Sequence, residues 1–194
     1  MKVIFLDFDG VITIPPKWYI NANKIKYIKQ IVDTTGAKIV VSSSWRRENV
    51  KETINDMIGK TKRCPRNKML YWLVDNLYDI TSWFSDKKYN GTGRGGEIQT
   101  WLDKHPEVDS YVIIDDEADM LDRQIFNFVQ TDWSFGIQDR EVKLCIDILN
   151  EVKPQNTLTL NDNIKFKYWI SLGYGKVDNY KEIIEKYYPW KNED

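Results

Sequence analysis

Three short, wholly apolar runs in this chain each stop at acids or serines. Val3-Ile4-Phe5-Leu6 ends at Asp7. Ile39-Val40-Val41 ends at Ser42-Ser43-Ser44, and Tyr111-Val112-Ile113-Ile114 ends at Asp115-Asp116. A strand with one wet face alternates apolar and polar residues, whereas an unbroken apolar run fits a strand covered on both faces, as in a parallel sheet. Phe126-Asn127-Phe128-Val129-Gln130 reads as a fourth strand, ending near Thr131-Asp132.

Between these runs the apolar spacing turns helical. Asn23 to Val32 places Ile25, Ile28, Ile31 and Val32 on one face, and Gly36 follows as a stop. Glu97 to Lys104 carries Ile98, Trp101 and Leu102 ahead of Pro106. Arg140 to Asn150 carries Val142, Leu144, Cys145, Ile148 and Leu149. Alternating strands and helices imply an α/β fold with a mainly parallel sheet and right-handed crossovers. Trp45 to Gly96 is less regular. It reads as helices near Glu48–Ile58 and Lys68–Leu77, then a glycine-rich loop at Asn90-Gly91-Thr92-Gly93-Arg94-Gly95-Gly96. From Pro154 onward, Thr157 to Tyr168 alternates like a hairpin and Tyr180 to Tyr188 reads as a helix. The expected organisation is a core over residues 1–153, with 45–93 long enough for a small helical lid, and a C-terminal extension over 154–194.

Bulk properties exclude several classes. The 194 residues carry a formal net charge of −1, so charge alone announces no general polyanion-binding surface. Cys64 and Cys145 have neither metal-type spacing nor a disulfide framework, and read as reduced thiols of a cytoplasmic protein. His105 is the single histidine, which excludes a His-rich metal site; beside Pro106 it reads as a surface residue. Asp7 and Asp9 break the N-terminal apolar run too early for a signal peptide. No stretch approaches the 18 apolar residues of a membrane span. Nothing in the sequence signals an oligomeric state.

Ligands of parallel α/β sheets sit beyond the carboxyl ends of the strands, where these runs deliver Asp7 and Asp9, Ser42 and its neighbours, and Asp115 and Asp116. Four carboxylates in one cleft repel one another, and a hard cation with oxygen ligands, Mg²⁺ above all, is their natural companion. A carboxylate nucleophile divides a displacement at phosphorus into two easier steps through an acyl phosphate. A second carboxyl two residues away can protonate the leaving oxygen and then activate water. Serine hydroxyls, backbone N–H groups and a fixed cation can hold phosphate oxygens and stabilise charge in the transition state.

On these residues the chain resembles the haloacid dehalogenase (HAD) superfamily. Phe5-Leu6-Asp7-Phe8-Asp9-Gly10-Val11-Ile12 is similar to its first motif, Ile39-Val40-Val41-Ser42 to its second, and Tyr111-Val112-Ile113-Ile114-Asp115-Asp116 to its fourth, in the family's order. The resemblance implies a Rossmann-like three-layer α/β/α sandwich with a minimal or small helical cap. It implies Asp7 as nucleophile and metal ligand, and Asp9 as general acid/base with its backbone carbonyl on Mg²⁺. Ser42 would sit on the transferring phosphate, and Asp115 and Asp116 on the metal. The third motif is a Lys or Arg ahead of the fourth; Arg94 matches it best, with Lys87, Lys88 and Lys104 as rivals. Gly10, Ser43 and Arg46 are the expected substrate contacts. Ser42-Ser43-Ser44-Trp45-Arg46, Arg94-Gly95-Gly96-Glu97-Ile98 and Asp115 to Met120 also look similar to HAD-type domains associated with RNA repair proteins and phage-like phosphatases.

Each of these residues has a plainer use. Ser42 to Ser44 are good N-caps for a helix near Trp45, and Asp115 and Asp116 for the helix after them. Asp119 suits either a further ligand or a solvated helix face. The glycine-rich loop lacks the Lys-Ser/Thr ending of a P-loop. Trp45, Trp72, Trp83 and Trp101 fit core packing as well as base stacking. Arg46 and Arg47 suit a helix surface as well as a second phosphate, and Lys62-Arg63, Arg66 and Lys68 read as a solvated basic stretch.

Only Val11 to Ala37 separates the first two motifs, too little for a large cap. The cleft implied is open and suits a phosphate on a nucleotide or a nucleic-acid end. The alternatives are a small-metabolite phosphatase closed by the 45–93 lid, and a binding module that kept the fold without activity. A receiver-like signalling domain needs its phosphorylated Asp on a later strand, which the DxDG pattern on the first strand disfavours.

Overall fold

The computed structural model describes residues 1–16, 19–60, 68–89 and 93–150. The expected hairpin and helix after Pro154, Cys64, the Lys62-Arg63 and Arg66 part of the basic stretch, and Asn90 to Thr92 of the glycine-rich loop lie outside the described residues.

Five parallel strands form the sheet: β1 (Lys2–Leu6), β2 (Lys38–Val41), β3 (Leu77–Ile80), β4 (Ser110–Asp115) and β5 (Phe128–Gln130), in the order β3-β2-β1-β4-β5. The chain moves outward through β2 and β3, then returns to the other side of β1 for β4 and β5. The switch point falls between β1 and β4, where a doubly wound sheet opens a crevice.

The apolar runs behave as strands covered on both faces. Ile4, Leu6, Ile39, Val41, Val112 and Ile114 meet one set of helices: α1 (Ala22–Thr35), α3 (Lys68–Asp75) and α5 (Asp139–Leu149), with Met57 of α2 (Val50–Lys60) joining them. On the opposite face Val3, Phe5, Val40 and Ile113 pack with Ile98 and Trp101 of α4 (Gly93–Leu102), and with Ala118, Met120 and Phe128. The result is the expected three-layer α/β/α sandwich. Burial of Ile25, Ile28 and Ile31 fixes α1 to the sheet, each such side chain contributing on the order of 1.5–3 kcal/mol. Gly36, at φ 70°, ends α1 in the left-handed conformation that glycine adopts without steric penalty.

Four local expectations change. Leu77 belongs to β3 rather than to the end of α3, which stops at Asp75. Part of the 45–93 segment expected as a lid is therefore an edge strand of the sheet. It was hard to see because Leu77-Tyr78-Asp79-Ile80 lies only half-buried at the edge and lacks the unbroken apolar signature. Helix α4 starts at Gly93, not near Glu97, so Arg94 lies in its first turn. Phe126 and Asn127 close a 3-10 turn (Asp122–Asn127), and β5 begins at Phe128. His105 is half-buried, its ring stacked on Trp101 at 3.6 Å and 9°.

Candidate active site

The sheet's hydrogen bonding runs one residue past the strands and sets the site. Asp7 N donates to Ile114 O (3.0 Å), Ser42 N to Leu6 O (3.1 Å), Thr81 N to Val41 O (3.0 Å) and Thr131 N to Asp115 O (3.0 Å). Thr81, Ser42, Asp7, Asp115 and Thr131 therefore line one carboxyl edge. A cleft there is lined by Asp7, Asp9, Ser44, Trp45, Arg94, Asp115, Asp116 and Glu117, with a volume of about 640 Å³.

Asp7, Asp115 and Asp116 each turn a carboxylate oxygen to a common point, the three atoms lying within 4.8 Å of one another. Burial pushes the Asp7 carboxyl up, against the pull of Arg94. Burial, then the charge of Asp7, holds Asp115 well above the usual carboxylate range, and the same two causes push Asp116 to about 6. Asp115 Oδ2 is buried and accepts no hydrogen bond. A cluster of hard oxygens with an unsatisfied buried lone pair is the donor set that a divalent cation such as Mg²⁺ takes. The cluster can hold a metal.

Arg94 is the cation among these acids. Its Nη1 donates to Asp7 Oδ1 at 2.7 Å and lies 3.5 Å from Asp115 Oδ2. Burial disfavours its charge, yet the Asp115 and Asp7 carboxylates together raise its pKa. The rival Lys88 pairs with Asp103 instead. Asp119 Oδ2 accepts the Arg94 N–H at 2.8 Å and so caps the first turn of α4. A side chain on Gly93 would overlap this same carboxylate, and one on Gly95 the backbone at Met120 and Leu121. The glycines around Arg94 thus serve close packing of α4 on the loop after β4.

Asp9 faces the cleft from the turn after β1. Its two oxygens accept from Thr13 Oγ1 (2.6 Å) and Trp45 Nε1 (3.0 Å), which fix its orientation. Gly10 lies at φ 66°, and any Cβ there would overlap the Asp116 carboxylate, so only glycine lets the two chain segments close. Ser42 is fully buried, and its Oγ has no hydrogen-bond partner. Ser43 Oγ accepts from Trp45 N at 3.3 Å, and its hydroxyl works against the upward push of burial on the Asp7 carboxyl.

Arg46 was expected at the substrate, but it is 1 % exposed and lies behind the serine loop. Its Nη1 donates to Ser42 O (2.5 Å) and Ser43 O (2.8 Å), and its Nη2 to Glu97 Oε2 (2.5 Å) and Ser82 O (3.3 Å). Arg94 Nη1 also donates to Ser42 O, so that carbonyl joins both guanidinium groups. Arg47 pairs with Asp56. Trp72 packs against the core and Trp101 is buried, donating to Asp79, while Trp45 lines the cleft. Sequence reasoning missed Glu97 as a partner and Thr131, whose Oγ1 donates to Gly10 O at 2.8 Å. The one available signal was a glutamate three residues after Arg94, near the start of α4.

No helix among the described residues is long and apolar enough to cross a membrane. No curated protein and no solved structure matches the chain. A family model does, that of the HAD domain in Swiss Army Knife RNA repair proteins, over residues 3–142. Membership points to phosphatase-type hydrolysis of a phosphoester. On the strength of that match across most of its length, the chain belongs to the family of HAD domains found in Swiss Army Knife RNA repair proteins.

Proposed function

We propose that this protein is a Mg²⁺-dependent phosphatase that hydrolyses a phosphomonoester on a nucleotide or nucleic-acid end through an aspartyl-phosphate. The observation that carries the reading is the convergence of Asp7, Asp115 and Asp116 within 4.8 Å, with Arg94 on the same Asp7 carboxylate. The Asp7, Asp115 and Asp116 side chains and the Asp9 backbone carbonyl would hold the ion. When bound, it would screen the carboxylates from an anionic phosphate and stabilise developing charge.

The chain's own residues do the rest. Asp7 Oδ attacks phosphorus, and the bond to the leaving oxygen breaks. Asp9, oriented by Thr13 and Trp45, gives its proton to that oxygen. It then takes a proton from the water that attacks the aspartyl-phosphate, restoring Asp7. Ser42 Oγ, buried and unpartnered, is free to donate to a phosphate oxygen. Arg94 supplies fixed positive charge. Gly10 and Ser43 shape the loops around the phosphate, and Arg46 positions the Ser42-Ser43 backbone.

The core over residues 1–153, the extension over 154–194 and a cytoplasmic location belong to the same proposal. The test is release of phosphate from a panel of mononucleotides, 3′- and 5′-phosphorylated oligonucleotides and sugar phosphates, with Mg²⁺ or EDTA, beside Asp7→Asn. Metal-dependent release lost in Asp7→Asn is expected; no release from any member of the panel would overturn the reading.

A further inference from the structure

Past the carboxyl end of β3 the chain presents two rings that the fold does not bury. Trp83 is 46 % exposed and Phe84 83 % exposed. Their backbone is nevertheless anchored. Ser82 Oγ donates to Phe84 O at 2.6 Å, and Ser82 O accepts from Arg46 Nη2. The Arg46 guanidinium also lies 4.1 Å from the centre of the Trp83 ring. Because that guanidinium donates to Ser42 O and Ser43 O, direct contacts run from the serine loop to Trp83. The Thr81 N–H on Val41 O keeps the end of β3 level with Ser42. Two strand spacings, about 10 Å, separate β3 from Asp7's strand, a gap that a nucleoside attached to the reacting phosphate can bridge. Exposed rings cost hydrophobic free energy, so a pair held in place beside a polar cleft points to a ligand. Two rings also fall well short of the area a stable protein interface buries.

We propose that Trp83 and Phe84 form a stacking platform for the base of the phosphorylated nucleotide whose phosphate lies at Asp7. The proposal rests on the phosphatase reading above and adds the part of the substrate the enzyme grips. Stacking is indifferent to base identity, since every base offers a π face, so the platform gives recognition of a nucleic-acid end without sequence preference.

The test compares an end-phosphorylated oligonucleotide with glycerol phosphate, which has no base. Trp83→Ala/Phe84→Ala is expected to lower kcat/KM on the oligonucleotide by about 10- to 100-fold and to affect glycerol phosphate far less. Trp83→Phe should recover most of the loss. Phe84→Ala alone, at a ring with little packing to lose, should show part of the effect. Phe135→Ala, an exposed ring beyond β5, should change neither substrate. Equal losses on both substrates, or no loss on the oligonucleotide, would overturn the platform. Binding of a labelled end-phosphorylated oligonucleotide to Asp7→Asn, read by fluorescence anisotropy, separates this outcome from failure of the phosphatase reading. Affinity weakened by the double substitution supports the platform even without turnover, and unchanged affinity refutes it.

Discussion

Glu97→Gln should destabilise the protein severely, although Glu97 is not one of the three clustered carboxylates. Its carboxylate is the counter-charge of a guanidinium whose side chain is 2 % exposed, and is itself only 16 % exposed. Burial pushes the Glu97 carboxyl up and the Arg46 guanidinium down, each against the attraction of the other. Each ion is therefore held at a cost, and the structure tolerates them only together. Removing one partner of such a pair costs about 3–5 kcal/mol, because the other charge stays buried without compensation. The Ser42, Ser43 and Ser82 carbonyls and the Trp83 face still solvate Arg46 in part, and the glutamine oxygen can accept one hydrogen bond. The low end of that range, about 3 kcal/mol, is the expected loss. For a chain of this size it lowers Tm by roughly 10 °C.

Thermal and urea unfolding followed by circular dichroism, in EDTA so that metal linkage does not enter, measures this. Arg46→Met combined with Glu97→Gln removes both charges, and should be more stable than Glu97→Gln alone. That sign follows from desolvation: two absent ions cost less than one stranded ion. A Glu97→Gln protein within about 0.5 kcal/mol of the parent, the usual range of surface substitutions, would refute the reasoning.

Two further outcomes concern the acidic cluster. Gly10→Ala must place a side chain at φ 66° and against the Asp116 carboxylate; about 1–3 kcal/mol of strain is expected, with weaker Mg²⁺ binding in calorimetry. The metal-free protein should lose stability as pH rises from about 4 toward 6 and beyond. The folded-state values of Asp7, Asp115 and Asp116 lie above the unfolded value of 3.8, so the folded state binds more protons. The cost is absent below that unfolded value and complete once pH passes the folded values. Asp115→Asn should flatten this fall, melt higher than the parent in EDTA at pH 7 and lack the Tm increase with Mg²⁺ expected of the parent; a metal-free Tm that climbs across the window would contradict the account.

Residues that carry the site were legible where a physical rule is local. Asp7, Ser42, Asp115 and Asp116 each terminate an unbroken apolar run, and such a run has few places to go except the middle of a parallel sheet. Strand β3 lacked that signal because an edge strand has less to bury, and its Leu77 continued the helical spacing of α3. The start of α4 was illegible for the opposite reason. Glycine disfavours helices, yet Gly93 and Gly95 are required by contacts with Asp119 and the Met120-Leu121 backbone, which no spacing rule foresees. The Arg46–Glu97 pair joins residues 51 apart, and only the folded sheet brings them together.

Charge balance in the cleft explains why these parts belong together. The lining carries Asp7, Asp9, Asp115, Asp116 and Glu117 against Arg94 alone. A phosphomonoester is itself an anion, and at an effective dielectric near 20 two like charges 4 Å apart repel by about 4 kcal/mol. One arginine, already shared between Asp7 and Asp115, does not neutralise such a field. Two routes lower it: protonation, toward which burial pushes Asp115 and Asp116, and a divalent cation. In the proposed mechanism protonation would silence the carboxylates the chemistry needs, whereas a cation would leave Asp7 ionised and able to attack. The switch point between β1 and β4 thus sets acids close enough that a divalent cation would relieve their repulsion, and in the proposed mechanism Arg94 would hold Asp7 in place for attack.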